Sequence, residues 1–244
     1  MPLTPARRRG VEILDEPGVE PGVGVRSLRD GARSNALFGG RRAVLRALAP
    51  TVRAAAWGEL TLLDVGTGLG DIPWHARRLA ARLGVRLRTV GVDLAEPLAR
   101  ASRARTELAV CADAFALPFA DGAFDVVTCS QLLHHFDEPE AARLLRDLGR
   151  VARRQVVVSD LRRSWLAAGG FWLASWALGF SPVTRHDGTL SVLRGFTAPE
   201  LDALVRASVG RPPAVRRRLG WRVVASWSPP DAGAPGESVR RSTP

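Results

Sequence analysis

The sequence has no lysine and no tyrosine, a single methionine and two cysteines among 244 residues. Two cysteines, Cys111 and Cys129, both in apolar segments, read as buried thiols, and neither a disulfide framework nor a metal site is expected. The N-terminal "MPLTPARRRG" lacks the apolar core of a secretory signal, so a reducing cytoplasmic setting is expected. The absence of lysine bears on the net charge of +11, a value that would ordinarily point to a polyanionic partner. Every basic residue is arginine, alanine, glycine and proline abound, and few aromatics lie among the arginines, so a coding bias accounts for the charge as well as phosphate contacts would. Nucleic acid is therefore not the expected partner. Apolar (46%) and charged (24%) fractions are those of an ordinary globular chain long enough for one sizeable domain.

The chain divides by rhythm. Residues 1–24 carry proline, glycine and charge without periodicity and read as a loosely held arm. Helical spacing from Ser27 to Ala56, broken at Gly39–Gly40 and Pro50, reads as two or three short helices. Strands are expected at Leu60–Val65, Leu87–Val92, Leu108–Ala112, Phe124–Ser130 and Gln155–Ser159, with helices near 73–83, 96–105 and 139–150. Short apolar strands separated by helices imply a parallel sheet covered on both faces. "AVRRRLGWRVVASW" reads as an antiparallel hairpin around Leu219–Gly220, and the Pro/Gly-rich residues 229–244 as a disordered tail. The expected organisation is an N-terminal arm and helical cap (1–56), an α/β domain (57–228) with an apolar insertion at about 161–196, and the tail.

"TLLDVGTGLGD" runs a strand into a glycine-rich turn that suits a dinucleotide or S-adenosylmethionine. A dinucleotide turn places a third glycine where Asp71 stands, and an acid at that helix start would repel a bound pyrophosphate. A zwitterionic amino-acid tail tolerates it, and Asp64 could face its ammonium group. Asp93, ending the second strand, suits the two hydroxyls of a ribose in either ligand class. Asp113, ending the third, suits an exocyclic adenine amine. Acids after strands two and three, with a terminal hairpin, are not what dinucleotide domains show.

"LLDVGTGLGD", "VGVDLA", "CADAFALPFADGAFDVVTCSQLLHHF" and "LLRDLGRVARRQVVVSDL" together make residues 60–160 resemble class I S-adenosylmethionine-dependent methyltransferases, of the quinone and natural-product type. The resemblance implies a Rossmann-like, seven-stranded, mostly parallel sheet with the last strand antiparallel. It implies that Asp64, Gly66, Thr67, Gly68 and Gly70 serve the methionine moiety, that Asp93 with Leu94 serves the ribose side, and that Asp113 with Ala114 serves the adenine, Ser130 closing the set. The "IPWHARRLA" helix departs from the family pattern.

Methyl transfer needs a base only when the nucleophile must lose a proton. His134 and His135 follow the fourth strand and Asp160 ends the fifth, at the carboxyl edge where open α/β sheets bind ligands. A His/Asp pair there would serve O-methylation, while a turn-capping or packed histidine is the plain alternative. His186, in "VTRHDGTLS", sits either on a substrate cover or incidentally beside a surface turn at Asp187–Gly188. His75 reads as a bystander. The uncharged run Ser164–Thr184 holds three of the seven tryptophans. Gly169–Gly170 and Pro182 argue against a membrane span, leaving a cover over a flat or greasy acceptor, core packing, or docking at a membrane surface. The expectation is a small-molecule methyltransferase. An RNA methyltransferase and a non-catalytic S-adenosylmethionine-binding partner protein stand as alternatives.

Overall fold

The computed structural model describes residues 4–15, 21–55 and 57–229. Seven strands form one sheet in the order β3-β2-β1-β4-β5-β7-β6. They are β1 (Glu59–Val65), β2 (Arg86–Asp93), β3 (Leu108–Cys111), β4 (Phe124–Ser130), β5 (Ala152–Leu161), β6 (Ala214–Arg218) and β7 (Arg222–Trp227). Pairing from β3 through β5 is parallel, and β7 runs antiparallel to both β5 and β6. The expected Rossmann-like sheet with its antiparallel last strand is present.

Because successive strand side chains face opposite ways, each strand feeds two cores. Leu60 and Leu62 of β1 pack with α2 (Gly40–Ala54) and α3 (Asp71–Arg82), and Val157 and Val224 lie on the same face. Leu63 and Val65 pack on the other face with Val156, Val158 and the apolar stripes of α5 (Glu138–Val151) and α8 (Ala198–Val209). The starts of α5 and α8 are fixed by capping boxes, Asp137 with Glu140 and Thr197 with Glu200. α4 (Glu96–Ser102) links β2 to β3.

Three sequence expectations are corrected. First, residues 4–15 are strapped down: Arg8 N donates to Leu193 O at 3.1 Å, and Pro5 O accepts from Arg163 Nε at 2.8 Å. Second, α1 (Pro21–Leu37) begins inside the segment read as arm, and Pro50 lies within α2 and does not end it. The break falls at Gly39, whose φ of 75° only glycine adopts at little cost. Third, Asp187–Gly188 is no surface turn. It lies within α7 (Pro182–Arg194), which pairs with α6 (Trp165–Ala177) in the insertion. Asp187 is buried because its two oxygens accept from Ile13 N (2.9 Å) and Leu14 N (3.1 Å), holding the arm. Of the expected tail, residues 230–244 lie outside the described residues.

The Leu219–Gly220 hairpin turn sits against the α1–α2 break, where a Cβ on Gly220 (φ 74°) would stand 1.9 Å from Phe38 O. Gly220→Ala is expected to destabilise the protein by about 2 kcal/mol or more, combining backbone strain with a backbone clash, as read by thermal or urea unfolding. An unchanged unfolding midpoint would mean that the cap and hairpin are not locked together.

Candidate functional site

The strand order reverses between β1 and β4, and both flanking loops carry chemistry at the carboxyl edge. After β1, Gly66, Gly68 and Gly70 all have positive φ (70°, 54° and 74°). Gly66 N and Thr67 N both donate to Val92 O at 2.9 Å, tying the turn to β2. A Cβ on Gly68 would meet no atom within 4 Å, so the turn opens onto free space. A Cβ on Gly66 would stand 2.9 Å from Leu132, bringing this turn against the loop that carries the histidine pair.

Asp93 accepts from Gly68 N (2.8 Å) and Ala95 N (3.1 Å), which aims its carboxylate over the turn. Burial raises its proton affinity against those bonds. Leu94, beside it, is exposed, an apolar surface next to this acid. Asp113 is exposed, with Oδ1 accepting from Phe115 N at 2.9 Å, and Ala114 follows it. The Ser130 hydroxyl at the end of β4 is buried without a hydrogen-bond partner, a group awaiting one. Asp64 is 2% exposed and accepts from Thr67 Oγ1 (2.9 Å) and Thr128 Oγ1 (2.6 Å). Burial pushes it up to about 7 even so. The sequence placed Asp64 against an ammonium group, and in the fold its immediate partners are these two hydroxyls. Burial raises the proton affinity of Asp71 at the start of α3, while Arg41 of α2, Arg105 and Asn35 of α1 oppose it, so the N-terminal cap bears on the helix that follows the glycine turn.

Open space above a strained turn, an aimed acid, an apolar flank and an orphan hydroxyl together fit a nucleoside carrying an amino-acid tail. The "Methyltransferase domain" family matches residues 63–158. A demethylmenaquinone methyltransferase of Roseiflexus sp. is 35% identical over 179 residues, covering 65% of this chain and 70% of that protein. The chain belongs to the class I S-adenosylmethionine-dependent methyltransferases. The nocamycin O-methyltransferase of Saccharothrix syringae is 36% identical over 116 residues, 43% of this chain and 40% of its own length. Magnesium protoporphyrin IX methyltransferase from Synechocystis PCC 6803, solved with bound S-adenosylhomocysteine, shares the fold at a TM-score of 0.53 and 15% identity, over 79% of this chain and 84% of that one. S-adenosylmethionine is the cofactor of the family, and the glycine turn, Asp93, Leu94, Asp113 and Ser130 are the residues that would hold it in this methyltransferase.

The second cluster lies in the loop after β4 and at the end of β5, beside that turn. His134 is 3% exposed, its N donates to Asp160 Oδ2 (2.9 Å), and its Nδ1 lies 2.7 Å from Asp160 Oδ1. Asp160 is 0% exposed and also accepts from Leu161 N at 2.7 Å. Glu12, which sequence reasoning did not single out, completes the group from the arm. Its Oε1 lies 3.7 Å from His134 Nε2 and its Oε2 3.9 Å from His135 Nε2. Ser191 donates to Glu12 at 2.6 Å, and Arg194 stands 3.5 Å away. Burial alone would lower the His134 pKa, but the charge and hydrogen bond of Asp160, and then the nearby charge of Glu12, lift it to about 9. Burial would likewise raise Glu12, and the two histidines with Ser191 hold it at about 2 instead. Arg7 braces the same loop, donating to Phe136 O (2.8 Å) and Arg194 O (2.7 Å).

His135 is 24% exposed and shares this group, whereas His186 does not: its ring is 56% exposed and bonds Asp187 at 2.9 Å. His75 lies on α3, with Nε2 2.7 Å from Arg41. The only trace of Glu12 in the sequence is the short apolar setting "VEILD" inside an otherwise aperiodic arm.

Asp93→Ala is expected to weaken S-adenosylhomocysteine at least about ten-fold, since a carboxylate accepting from two hydroxyls contributes about 1.5–3 kcal/mol. Isothermal titration calorimetry reads it, with far-UV circular dichroism confirming the fold. Unchanged affinity would move the ribose site elsewhere.

Proposed function

We propose that this methyltransferase transfers a methyl group to an oxygen of a small, hydrophobic or aromatic acceptor. The observation that carries the reading is the buried His134–Asp160 pair (2.7 Å) in the loop that touches the cofactor turn. S-adenosylmethionine supplies an electrophilic methyl group. The chain aligns the acceptor with it, an effect worth about 7–11 kcal/mol in favourable cases. Asp160 orients His134 through Nδ1, leaving Nε2 as the atom that takes the acceptor's proton once Glu12 gives way. Relatives include both demethylmenaquinone methyltransferases and an O-methyltransferase, so the names alone leave the atom open. A non-catalytic binder would have no use for the buried pair, and RNA methylation is tested against the small acceptors in the screen below.

A screen of phenols, hydroquinones and RNA with S-adenosylmethionine, read by mass shift, is expected to methylate a phenolic class. Methylated RNA, or no product with any of them, would overturn the reading. With an acceptor in hand, His134→Gln should lower kcat by about 10²–10⁴. kcat/KM should rise with pH through about 9, the protonated imidazolium being unable to accept. Glu12→Gln should move that rise to lower pH, because a carboxylate that favours the imidazolium is gone. A pH profile unmoved by either substitution would exclude His134 as the base.

The acceptor class is supported by α6, on which Trp165, Leu166, Trp172, Leu173 and Trp176 are all exposed. Arg8 lies over Trp165 (5.7 Å to its centroid) and Arg185 over Trp176 (3.4 Å). Among the described residues no helix is long and apolar enough to cross a membrane. A tryptophan face edged with arginines suits the surface of an anionic bilayer from which a greasy acceptor is drawn. Phosphatidylglycerol vesicles are expected to blue-shift the tryptophan emission and phosphatidylcholine vesicles to do so far less, with Trp172→Ala plus Leu173→Ser weakening binding about ten-fold or more. No difference between the lipids would remove the membrane from the reading.

A further inference from the structure

We propose that Glu12, His134 and His135 form a binding site for a divalent transition-metal ion, with Asp160 as the outer partner of His134. The three ligand atoms lie within 4.8 Å of one another. Two imidazoles and one carboxylate are a donor set for zinc or ferrous iron, and three protein ligands leave a position open for a further oxygen.

The spacing carries the proposal. Glu12 stands 3.7 Å from His134 Nε2 and 3.9 Å from His135 Nε2, and both separations exceed hydrogen-bond length. Ligand atoms on a tetrahedral ion at bonds of about 2.0–2.1 Å lie about 3.3 Å apart, so the Glu12–histidine separations need to close by about half an ångström and the widest pair, within 4.8 Å, by up to about 1.5 Å. Asp160 holds His134 as a ligand requires: Nδ1 lies 2.7 Å from Asp160 Oδ1, so Nε2, which faces Glu12, is the nitrogen that binds the ion as its proton is displaced. A carboxylate behind a ligating histidine is the usual outer shell of such sites, where it fixes ring orientation and raises ligand basicity. Ser191 (2.6 Å) and Arg194 (3.5 Å) both engage Glu12 Oε1, which fixes the carboxylate with Oε2 on the side of His135. His135 is 24% exposed against 3% for His134, so the open position lies on the His135 side. An acceptor hydroxyl reaching it would bind the ion and lose its proton more readily. With an ion bound, His134 is a ligand, and the ion takes over the role that the imidazole has in the metal-free protein.

The test uses the untagged full chain carrying Cys111→Ser, which removes an exposed thiol, after dialysis against a chelator. Titration with Co²⁺ is expected to give visible d–d absorption saturating at one ion per chain, without sulfur charge-transfer bands and displaced by Zn²⁺. Glu12→Gln and His135→Asn should each weaken Co²⁺ at least about ten-fold while leaving S-adenosylhomocysteine binding, the check on folding, in place. Absence of a saturable one-to-one signal would overturn the site. So would a signal that both variants retain in full, which would assign the ion elsewhere. No acceptor enters the titration, so a failed metal site leaves the oxygen-acceptor reading standing, and a failed acceptor screen leaves the metal site standing.

Discussion

The carboxylate of Asp160 organises the carboxyl edge of the sheet around the histidines. A carboxylate with no exposure is costly unless its oxygens are bonded, and here the backbone of His134, the ring of His134 and the backbone of Leu161 supply those bonds. Charge adds to them, because the guanidinium groups of Arg7 and the fully buried Arg222 both feel Asp160. The loop after β4 is thereby fixed to the end of β5, and the same loop touches the cofactor turn through Leu132. One buried charge at the sheet edge sets the position of the histidines, and the histidines in turn hold Glu12 and the arm.

The sheet was legible because its signals are local. Apolar runs bounded by turns placed β1, β2, β4 and the core of β5, and the hairpin was readable from two β-like stretches around Leu219–Gly220. Asp93 and the glycine turn were legible for the same reason: a short spacing encodes a strand, a turn and an acid that meet within one βαβ unit. Pro50 misled because the cost of a proline inside a helix is offset when the helix is packed, and α2 buries Val44, Leu48 and Val52 against the sheet.

The arm was illegible for the opposite reason. Residues 4–15 have almost no periodic pattern, and what orders them lies far along the chain: Asp187 for the backbone of Ile13 and Leu14, Arg163 for Pro5, Ser191 and the histidines for Glu12. Asp187–Gly188 carries the composition of a turn, yet the aspartate is consumed by the arm's backbone, and the helix runs through. The histidine pair could be named from its place after β4, but its electrostatics could not, since they depend on an acid more than a hundred residues away.

That distance has a consequence for how the chain is assembled. Arg7 bonds the carbonyl of a residue 187 positions later, and Ile13 a carboxylate 174 positions later. During synthesis the arm emerges before the surface that receives it, which is complete only when α7 has left the ribosome. Pairing of such high sequence separation is slow and entropically demanding. The arm's bonds thus wait on elements made more than a hundred and seventy residues later.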